Sequence, residues 1–321
     1  MSEFDLIQKY FTRPTRNTTL GVGDDAALIQ VTKGCELAIS SDMLVAGTHF
    51  FHDAAPYDIG WKALAVNVSD MAAMGAQPKW ATLAIALPEV NEAWLSEFSR
   101  GFFACAEPFE IDLIGGDTTK GSLNISVTIM GEVLAGKALK RNGAQIGDDI
   151  WVSGNLGSAA LVLAHLQGKI TLKEDVLQAN THALCRPAPR VDLGLKLREI
   201  ATSCIDISDG LLADLGHILK ASNCGATIDL EKIPCIDYLK NDLDNQQFQE
   251  FLLAGGDDYE LCFTAPPNQH ETINLLSKQL NLPITCIAST RMASSLNTGG
   301  SQATYKNKKL SLLKQGFDHF G

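Results

Sequence analysis

Short apolar runs and longer amphipathic stretches alternate along the first half of the chain, which predicts interleaved strands and helices. Residues 36–41 and 80–87 are apolar runs of strand length, and residues 57–73 between them carry apolar side chains at helical spacing. Asn91 is a suitable N-cap for a further helix. Residues 125–129 alternate apolar and polar positions, as in a half-buried strand. The pattern favours an α/β fold of the α+β type, with mixed sheets.

A polar, glycine-containing stretch interrupts this alternation at residues 139–148 and predicts a domain boundary. We place an N-terminal domain at residues 1–139 and a C-terminal domain at residues 140–321. In the second domain, residues 150–153 and 204–207 are strand-like apolar runs, each followed by a helical stretch. A chain of 321 residues is long enough for two domains of ordinary size.

The amino-acid composition is that of a globular protein, and it argues against some classes of binding partner. The chain is 45% hydrophobic and 20% charged. Its 26 basic and 37 acidic residues give a formal net charge of −11, which disfavours nucleic acid because phosphate binding depends on lysine and arginine. No apolar run approaches the length of a membrane-spanning helix, and the first residues lack the features of a signal peptide. We expect neither nucleic acid nor membrane as a partner.

The eight cysteines are scattered among apolar or small neighbours, and no two form a C-x-x-C pair. This usage is typical of buried, reduced thiols. The sequence therefore predicts a cytoplasmic protein that folds without disulfides.

One local pattern recurs six times: an apolar stretch, one or two small residues, and then an aspartate. Strand ends and tight turns would place these carboxylates at the rim of a sheet, where loops build sites. Such oxygen ligands suit Mg²⁺, which is usually held by a few carboxylates together with substrate phosphates. Clustered carboxylates repel one another, so either these aspartates lie far apart or metal ions gather them, and we favour metal ions. The six motifs end at Asp24-Asp25, Asp42, Asp70, Asp117, Asp209 and Asp257-Asp258.

Each of these aspartates taken alone is more simply explained as a turn residue or a helix cap. The sequence has neither a phosphate-binding P-loop nor a dinucleotide-binding glycine motif, so any phosphate would have to be held through metal ions. His49 and His52 are three residues apart and could share a metal, although packing or a substrate contact explains them more simply. The sequence has no G-x-S-x-G motif, which argues against a serine hydrolase of the α/β-hydrolase type.

Eight motifs, in order along nearly the whole chain, resemble those of the thiamine-monophosphate kinases. This family belongs to the superfamily of aminoimidazole ribonucleotide synthetase and selenophosphate synthetase. The resemblance implies the two-domain fold of that superfamily, a homodimer formed through the N-terminal domains, and transfer of the γ-phosphoryl group of ATP to thiamine monophosphate with several Mg²⁺ ions. The motifs are GVGDDAAL, SSDMLVAGTHF, KALAVNVSDMAAMGA, LIGGDTT, the arginine of LKRNGA, DISDGLLADLGHI, GGDDYELCF and the closing GFDHF.

The resemblance also implies the roles of individual residues. Family magnesium positions correspond to Asp25, Ser40, Ser41, Asp42, Asp70, Asp117, Asp206 and Asp209. Family ATP contacts correspond to Gly116, Asp117, Arg141 and Ser208, and contacts to thiamine monophosphate correspond to His49, Asp257 and Phe317. The expected catalytic carboxylates are Asp42, Asp70, Asp117 and Asp209. The chain departs from the family pattern at Asp257, where glutamate is common, and at Phe317, where tyrosine or tryptophan is common.

Two other functions remain open at this stage. One is that of another ATP-using enzyme of the superfamily, such as a ligase that activates an amide oxygen; His49 and the GFDHF ending favour thiamine monophosphate instead. The other is divalent-metal binding without catalysis, although no D-x-D-x-D-G calcium loop is present.

Overall fold

The chain forms two compact units, and each is described by itself. The computed structural model describes residues 2–293, 301–312 and 316–317. The first unit comprises Met1–Met71 and Ala76–Ala138, and the second comprises Ala72–Gly75 and Leu139–Gly321. Both units combine helices with mixed or antiparallel sheets, so the predicted fold class is confirmed. Within the described residues, no helix is both long and apolar enough to cross a bilayer.

The first unit contains a four-stranded sheet, a separate two-stranded ribbon and two long helices. The order of the four strands is β3-β6-β4-β5, and only β4 and β5 run parallel. The strands are β1 (Thr18–Leu20), β2 (Leu28–Ile29), β3 (Cys35–Val45), β4 (Gln77–Leu87), β5 (Asp112–Lys120) and β6 (Asn124–Leu134). The α-helices are α1 (Glu3–Leu6), α2 (Pro56–Ala73) and α3 (Glu92–Ala106).

One face of the four-stranded sheet is covered and the other is open. Buried side chains such as Ile85, Val127 and Ile129 alternate with more exposed ones along β4 and β6. On the open face of the edge strand β3, Ile39 and Met43 are 61% and 54% exposed. Two exposed apolar side chains on one edge strand form an apolar patch, and such patches often bind another protein surface.

Helices α2 and α3 cross so closely that only glycine fits at the contact. A Cβ atom at Gly60 would lie 2.0 Å from the carbonyl oxygen of Phe98, and one at Gly101 would lie 1.9 Å from that of Tyr57. The predicted cap of α3 is confirmed, because Asn91 Oδ1 accepts the N–H of Trp94 at 3.1 Å.

The second unit contains a seven-stranded sheet in the order β13-β12-β9-β11-β7-β10-β8, in which only β9 and β12 are parallel. Its strands are β7 (Asp149–Ser153), β8 (Ser203–Asp206), β9 (Cys224–Asp229), β10 (Leu261–Ala265), β11 (Ile284–Met292), β12 (Ser301–Tyr305) and β13 (Lys308–Lys309). Its described α-helices are α4 (Ser158–Leu166), α5 (Glu174–Cys185), α6 (Val191–Leu197), α7 (Leu211–Ala221), α8 (Asp237–Lys240), α9 (Gln246–Ala254) and α10 (His270–Leu280).

The prediction that the motif aspartates lie at strand ends was wrong for three of them. Asp42 lies inside β3, Asp117 lies inside β5, and Asp70 lies inside α2. Both strands are edges of the sheet, where polar residues are tolerated because one side of the strand faces solvent. Asp209 and Asp257 do lie in loops, after β8 and before β10.

Candidate functional site

A polar cluster forms in the first unit where β3 meets α2. Ser40 Oγ donates a hydrogen bond of 2.6 Å to Asp70 Oδ2, and the N–H of Asp42 donates to Asn67 Oδ1 at 3.1 Å. Ser40 and Asp42 share a face because alternate residues of a strand point the same way. Asn67 and Asp70 share a face because they are three residues apart in a helix. The structure therefore brings Ser40, Asp42 and Asp70 together in one cluster.

The side-chain atoms of this cluster that could bind a metal ion are all oxygen atoms. They come from the hydroxyl of Ser40, the carboxylates of Asp42 and Asp70, and the side-chain amide of Asn67. Hard oxygen donors, with more than one carboxylate among them, match the preference of Mg²⁺. The residues present in the cluster thus fit a magnesium ion.

Ser41 and Asp117 lie away from this cluster. Ser41 Oγ, on the open face, donates to the carbonyl oxygen of Val127 at 3.1 Å. Asp117 is in register with Ala84, an exposed position on that open face. Its strand, β5, is the edge opposite β3, about 14 Å away at three spacings of about 4.8 Å. A single chain therefore does not bring Asp117 to Asp42 and Asp70.

Three further predicted residues lie at separate places in the first unit. Asp25 lies in the segment between β1 and β2, outside the four-stranded sheet. His49 follows β3, and its Nδ1 accepts the N–H of Val45 at 3.0 Å, which leaves Nε2 as the protonated donor. Gly116 has a φ of +144°, and a Cβ there would lie 1.8 Å from the carbonyl oxygen of Leu83. Only glycine fits at that point of β5.

A second cluster forms in the second unit, where the loop after β8 meets the loop before β10. The N–H of Asp257 donates to the carbonyl oxygen of Ser208 at 2.9 Å. The N–H of Phe317 donates to the carbonyl oxygen of Asp209 at 3.0 Å. A Cβ at Gly256 would lie 2.4 Å from the oxygen of Ser208, so glycine permits this approach. The structure brings together Ser208, Asp209, Asp257 and the half-exposed Phe317.

The three acidic residues of the GGDDYEL segment differ in their contacts. Asp258 accepts the N–H of Gly157 at 3.0 Å, and burial raises the pKa of its carboxyl well above the ordinary value. Glu260 is buried in an ion pair with Arg190. Asp257 has a left-handed backbone, with φ of +68°. Since Asp258 and Glu260 hold the fold together, Asp257 is the acid of this segment suited to a ligand.

Asp206 and Arg141 complete the predicted set in the second unit. Asp206 ends β8 and is buried. The carbonyl oxygen of Arg141 accepts a hydrogen bond from Ser222, which follows the last residue of α7. Ser208 lies three residues before Leu211, the first residue of that helix, and 11 residues of α-helix span about 16 Å. The backbone of Arg141 thus lies at the opposite end of α7 from Ser208. Of the predicted ending GFDHF, residues 318–320 lie outside the described residues.

Known proteins match this chain over almost its whole length. The model of the N-terminal domain of AIR synthase related proteins matches residues 23–133, and the model of the C-terminal domain matches residues 145–287. The thiamine-monophosphate kinase of Salmonella typhimurium is 44% identical over 326 residues, which cover 99% of this chain and 98% of that protein. The chain belongs to the thiamine-monophosphate kinase family.

Solved structures of this family share the fold. The crystal structure of thiamine-monophosphate kinase from Stenotrophomonas maltophilia K279a is 43% identical and has a TM-score of 0.84, covering 96% of this chain and 95% of that chain. The structure of AaThiL complexed with AMPPCP and TMP is 30% identical and has a TM-score of 0.77, covering 99% and 96%. The family resemblance predicted from the motifs is confirmed.

Two residues important for the geometry of this family member were missed by the sequence analysis. Asn67 holds the backbone of Asp42 and is itself fixed by the carbonyl oxygen of Ala63, which accepts from its Nδ2 at 3.0 Å. Asp214, in the first turn of α7, accepts the N–H groups of residues 208–210 at 3.0 to 3.1 Å. Burial raises the pKa of Asp214 to about 7, and the charge of Asp209 adds to this shift. Both residues act on backbone atoms, which no side-chain motif reveals.

We expect Asp214→Ala to lower the free energy of unfolding by about 1–3 kcal/mol, because three N–H groups lose their acceptor. Asp214→Asn is the matched control, since its amide oxygen still accepts hydrogen bonds. Urea unfolding at pH 8 measures both variants. Equal stability of Asp214→Ala and the wild type would show that these hydrogen bonds do not hold the loop.

Proposed function

We propose that this protein catalyses the ATP-dependent phosphorylation of thiamine monophosphate to thiamine diphosphate, the last step of thiamine diphosphate biosynthesis. The observation that carries the proposal is the full-length similarity to enzymes named thiamine-monophosphate kinase, at 44% identity. The AaThiL structure with AMPPCP and TMP, an ATP analogue and a second ligand, adds support from a relative of the same fold. The cluster around Asp42 and Asp70 adds further support, because its oxygen ligands suit the Mg²⁺ ions that phosphoryl transfer from ATP uses.

In this proposal the γ-phosphoryl group passes directly from ATP to the phosphate of the acceptor. That phosphate is ionised at neutral pH, so it needs no general base, and His49 is assigned to binding. Bound Mg²⁺ ions would neutralise charge between the two polyanions. The role of the protein is then to bind the two substrates and to orient the acceptor phosphate toward the γ-phosphoryl group. The residues that would hold metal are, in the first unit, Asp25, Ser40, Ser41, Asp42, Asp70 and Asp117, and, in the second unit, Asp206 and Asp209.

The remaining assignments follow the family pattern. Gly116, Asp117, Arg141 and Ser208 would contact ATP. His49, Asp257 and Phe317 would contact thiamine monophosphate. We assign ATP and magnesium binding and dimerisation to residues 1–139, and a contribution to the substrate site to residues 140–321. All eight cysteines are free thiols, which supports a cytoplasmic location.

We further propose that the protein is a homodimer formed through the first unit. Two features support this. The open face of the four-stranded sheet exposes Ile39 and Met43 on an edge strand. β5 and β3 are opposite edges of that sheet, so a dimer with β5 of one copy beside β3 of the other would place the strand that carries Asp117 next to the strand that carries Asp42. Both chains would then contribute an aspartate to the region where the two edges meet.

A coupled assay tests the proposed reaction. Purified protein with ATP, Mg²⁺ and thiamine monophosphate should yield thiamine diphosphate and ADP in equal amounts. Thiamine in place of thiamine monophosphate is the control, since it lacks the acceptor phosphate. ADP released without thiamine diphosphate would contradict the proposal and favour another ATP-using enzyme of the superfamily.

A further inference from the structure

A group of metal-binding side chains lies in the second unit and belongs to none of the predicted sites. One ligand atom each from Asp149, His270 and Cys286 lies within 4.8 Å of the other two. His270 Nε2 and Asp149 Oδ2 are 2.8 Å apart. Asp149 is buried, and the other two are partly exposed. The three residues come from three separate elements, at the starts of β7 and α10 and in β11.

A β-bulge in β11 builds this group. In the antiparallel pair of β11 with β7, Cys286 is opposite Trp151 and Ser289 is opposite Asp149, with an irregularity between residues 286 and 288. Asp149 and Trp151 share one face of β7 because they are two residues apart. Without the extra residue, Cys286 and Ser289 would point to opposite faces; the bulge places both on the face of Asp149.

We propose that Asp149, His270 and Cys286 bind a divalent transition-metal ion of the zinc type. Carboxylate oxygen, imidazole nitrogen and thiolate sulfur are the three ligand types of protein zinc sites, and a fourth position is left for solvent. Tetrahedral ligands at about 2.0–2.3 Å from zinc lie about 3.3–3.7 Å from one another. The separations in this group, from 2.8 Å to within 4.8 Å, lie on both sides of that range, so small side-chain shifts reach it.

The surroundings of the group hold two of its members in place. Ser289 Oγ donates to Asp149 Oδ1 at 2.9 Å, which leaves Oδ2 directed at His270. The ring of His270 packs against the buried ring of Trp151, with centroids 4.6 Å apart at 64°. Hydrogen bonds and packing of this kind orient the ligands of metal sites.

This site differs in chemistry from the oxygen-only cluster around Asp42. A sulfur and a nitrogen ligand select against Mg²⁺ and for softer ions. A bound ion would join α10 to the two central strands β7 and β11, so its role is to stabilise the second unit. The inference does not depend on the proposed kinase reaction, because none of its residues is assigned to that reaction.

Titration with Co²⁺ in the presence of millimolar Mg²⁺ tests the proposal, because Mg²⁺ occupies oxygen sites and a cobalt–thiolate bond gives a charge-transfer band in the near ultraviolet. We expect one Co²⁺ per chain with that band, displaced by one Zn²⁺. Cys286→Ser should remove the band, and His270→Gln should weaken binding at least about a hundredfold. The matched control is Cys35→Ser, a similarly half-buried cysteine in the first unit, which should keep the band.

Ser289→Ala gives a second measurement that keeps all three ligands. This substitution should lower the affinity for Zn²⁺ about 10- to 100-fold, because Asp149 is then free to rotate. Zn²⁺ should also raise the melting temperature of the wild type but not of Cys286→Ser. Absence of the charge-transfer band in the wild type, or its persistence in Cys286→Ser, would overturn the proposal. Kinase activity is measured separately, so its loss or presence does not affect this outcome.

Discussion

Asp70→Asn and Asp42→Asn should each lower kcat roughly a hundredfold or more at saturating Mg²⁺, as for groups that stabilise charge in a transition state. The neutral amide keeps the shape of the side chain and loses the charge that would hold metal between two polyanions. The fold should persist, because removing one of two neighbouring carboxylates relieves repulsion. Steady-state kinetics across Mg²⁺ concentrations, with a melting curve for each variant, measures the effect.

The matched control is Asp58→Asn, at a similarly half-buried position in the first turn of the same helix, α2. Its kcat should stay close to that of the wild type. Near-normal kcat in both Asp42→Asn and Asp70→Asn would remove these residues from the proposed metal site.

Mixing two inactive variants should restore activity if the site is shared between two copies. Asp42→Asn and Asp117→Asn should each be inactive alone. A mixed dimer would contain one site with both aspartates intact and one with neither, so the isolated mixed dimer should have about half of wild-type activity for a symmetric two-site dimer. The variants are co-expressed with different tags, and the mixed dimer is isolated through both.

Asp42→Asn mixed with Asp70→Asn is the control for this experiment. Both residues lie in the same cluster of one chain, so each site of that mixed dimer lacks one carboxylate, and activity should stay at the level of the single variants. If the Asp42 and Asp117 variants also fail to complement, Asp117 does not act across the dimer.

Periodicity predicted the helices and strands that carry the first cluster. The helix predicted over residues 57–73 corresponds to α2 (Pro56–Ala73) because its apolar spacing and its stop signals agree. Local propensity does not predict the full length of β5. The strand runs from Asp112 through Gly115 and Gly116 to Lys120, since hydrogen bonds to β4 override the low strand propensity of glycine.

The motifs identified the acids but not their arrangement. Asp42 and Asp70 were both singled out, yet their meeting depends on the packing of a strand against a helix, which no local pattern contains. The separation of Asp117 from them follows from strand order, which is likewise a tertiary property. The group of Asp149, His270 and Cys286 has no sequence signal, since 121 residues separate Asp149 from His270 and the third ligand depends on a bulge.

The strand order of the first unit also has a consequence for folding during synthesis. β3 pairs only with β6 in the four-stranded sheet, and Cys35 is opposite Leu134. The ribosome therefore releases the strand that carries Asp42 long before its hydrogen-bonding neighbour exists. Pairing between such distant segments is slow because a long loop must close first. During that interval the nascent chain exposes an apolar strand with free backbone groups, so the period of greatest aggregation risk ends when residue 134 emerges.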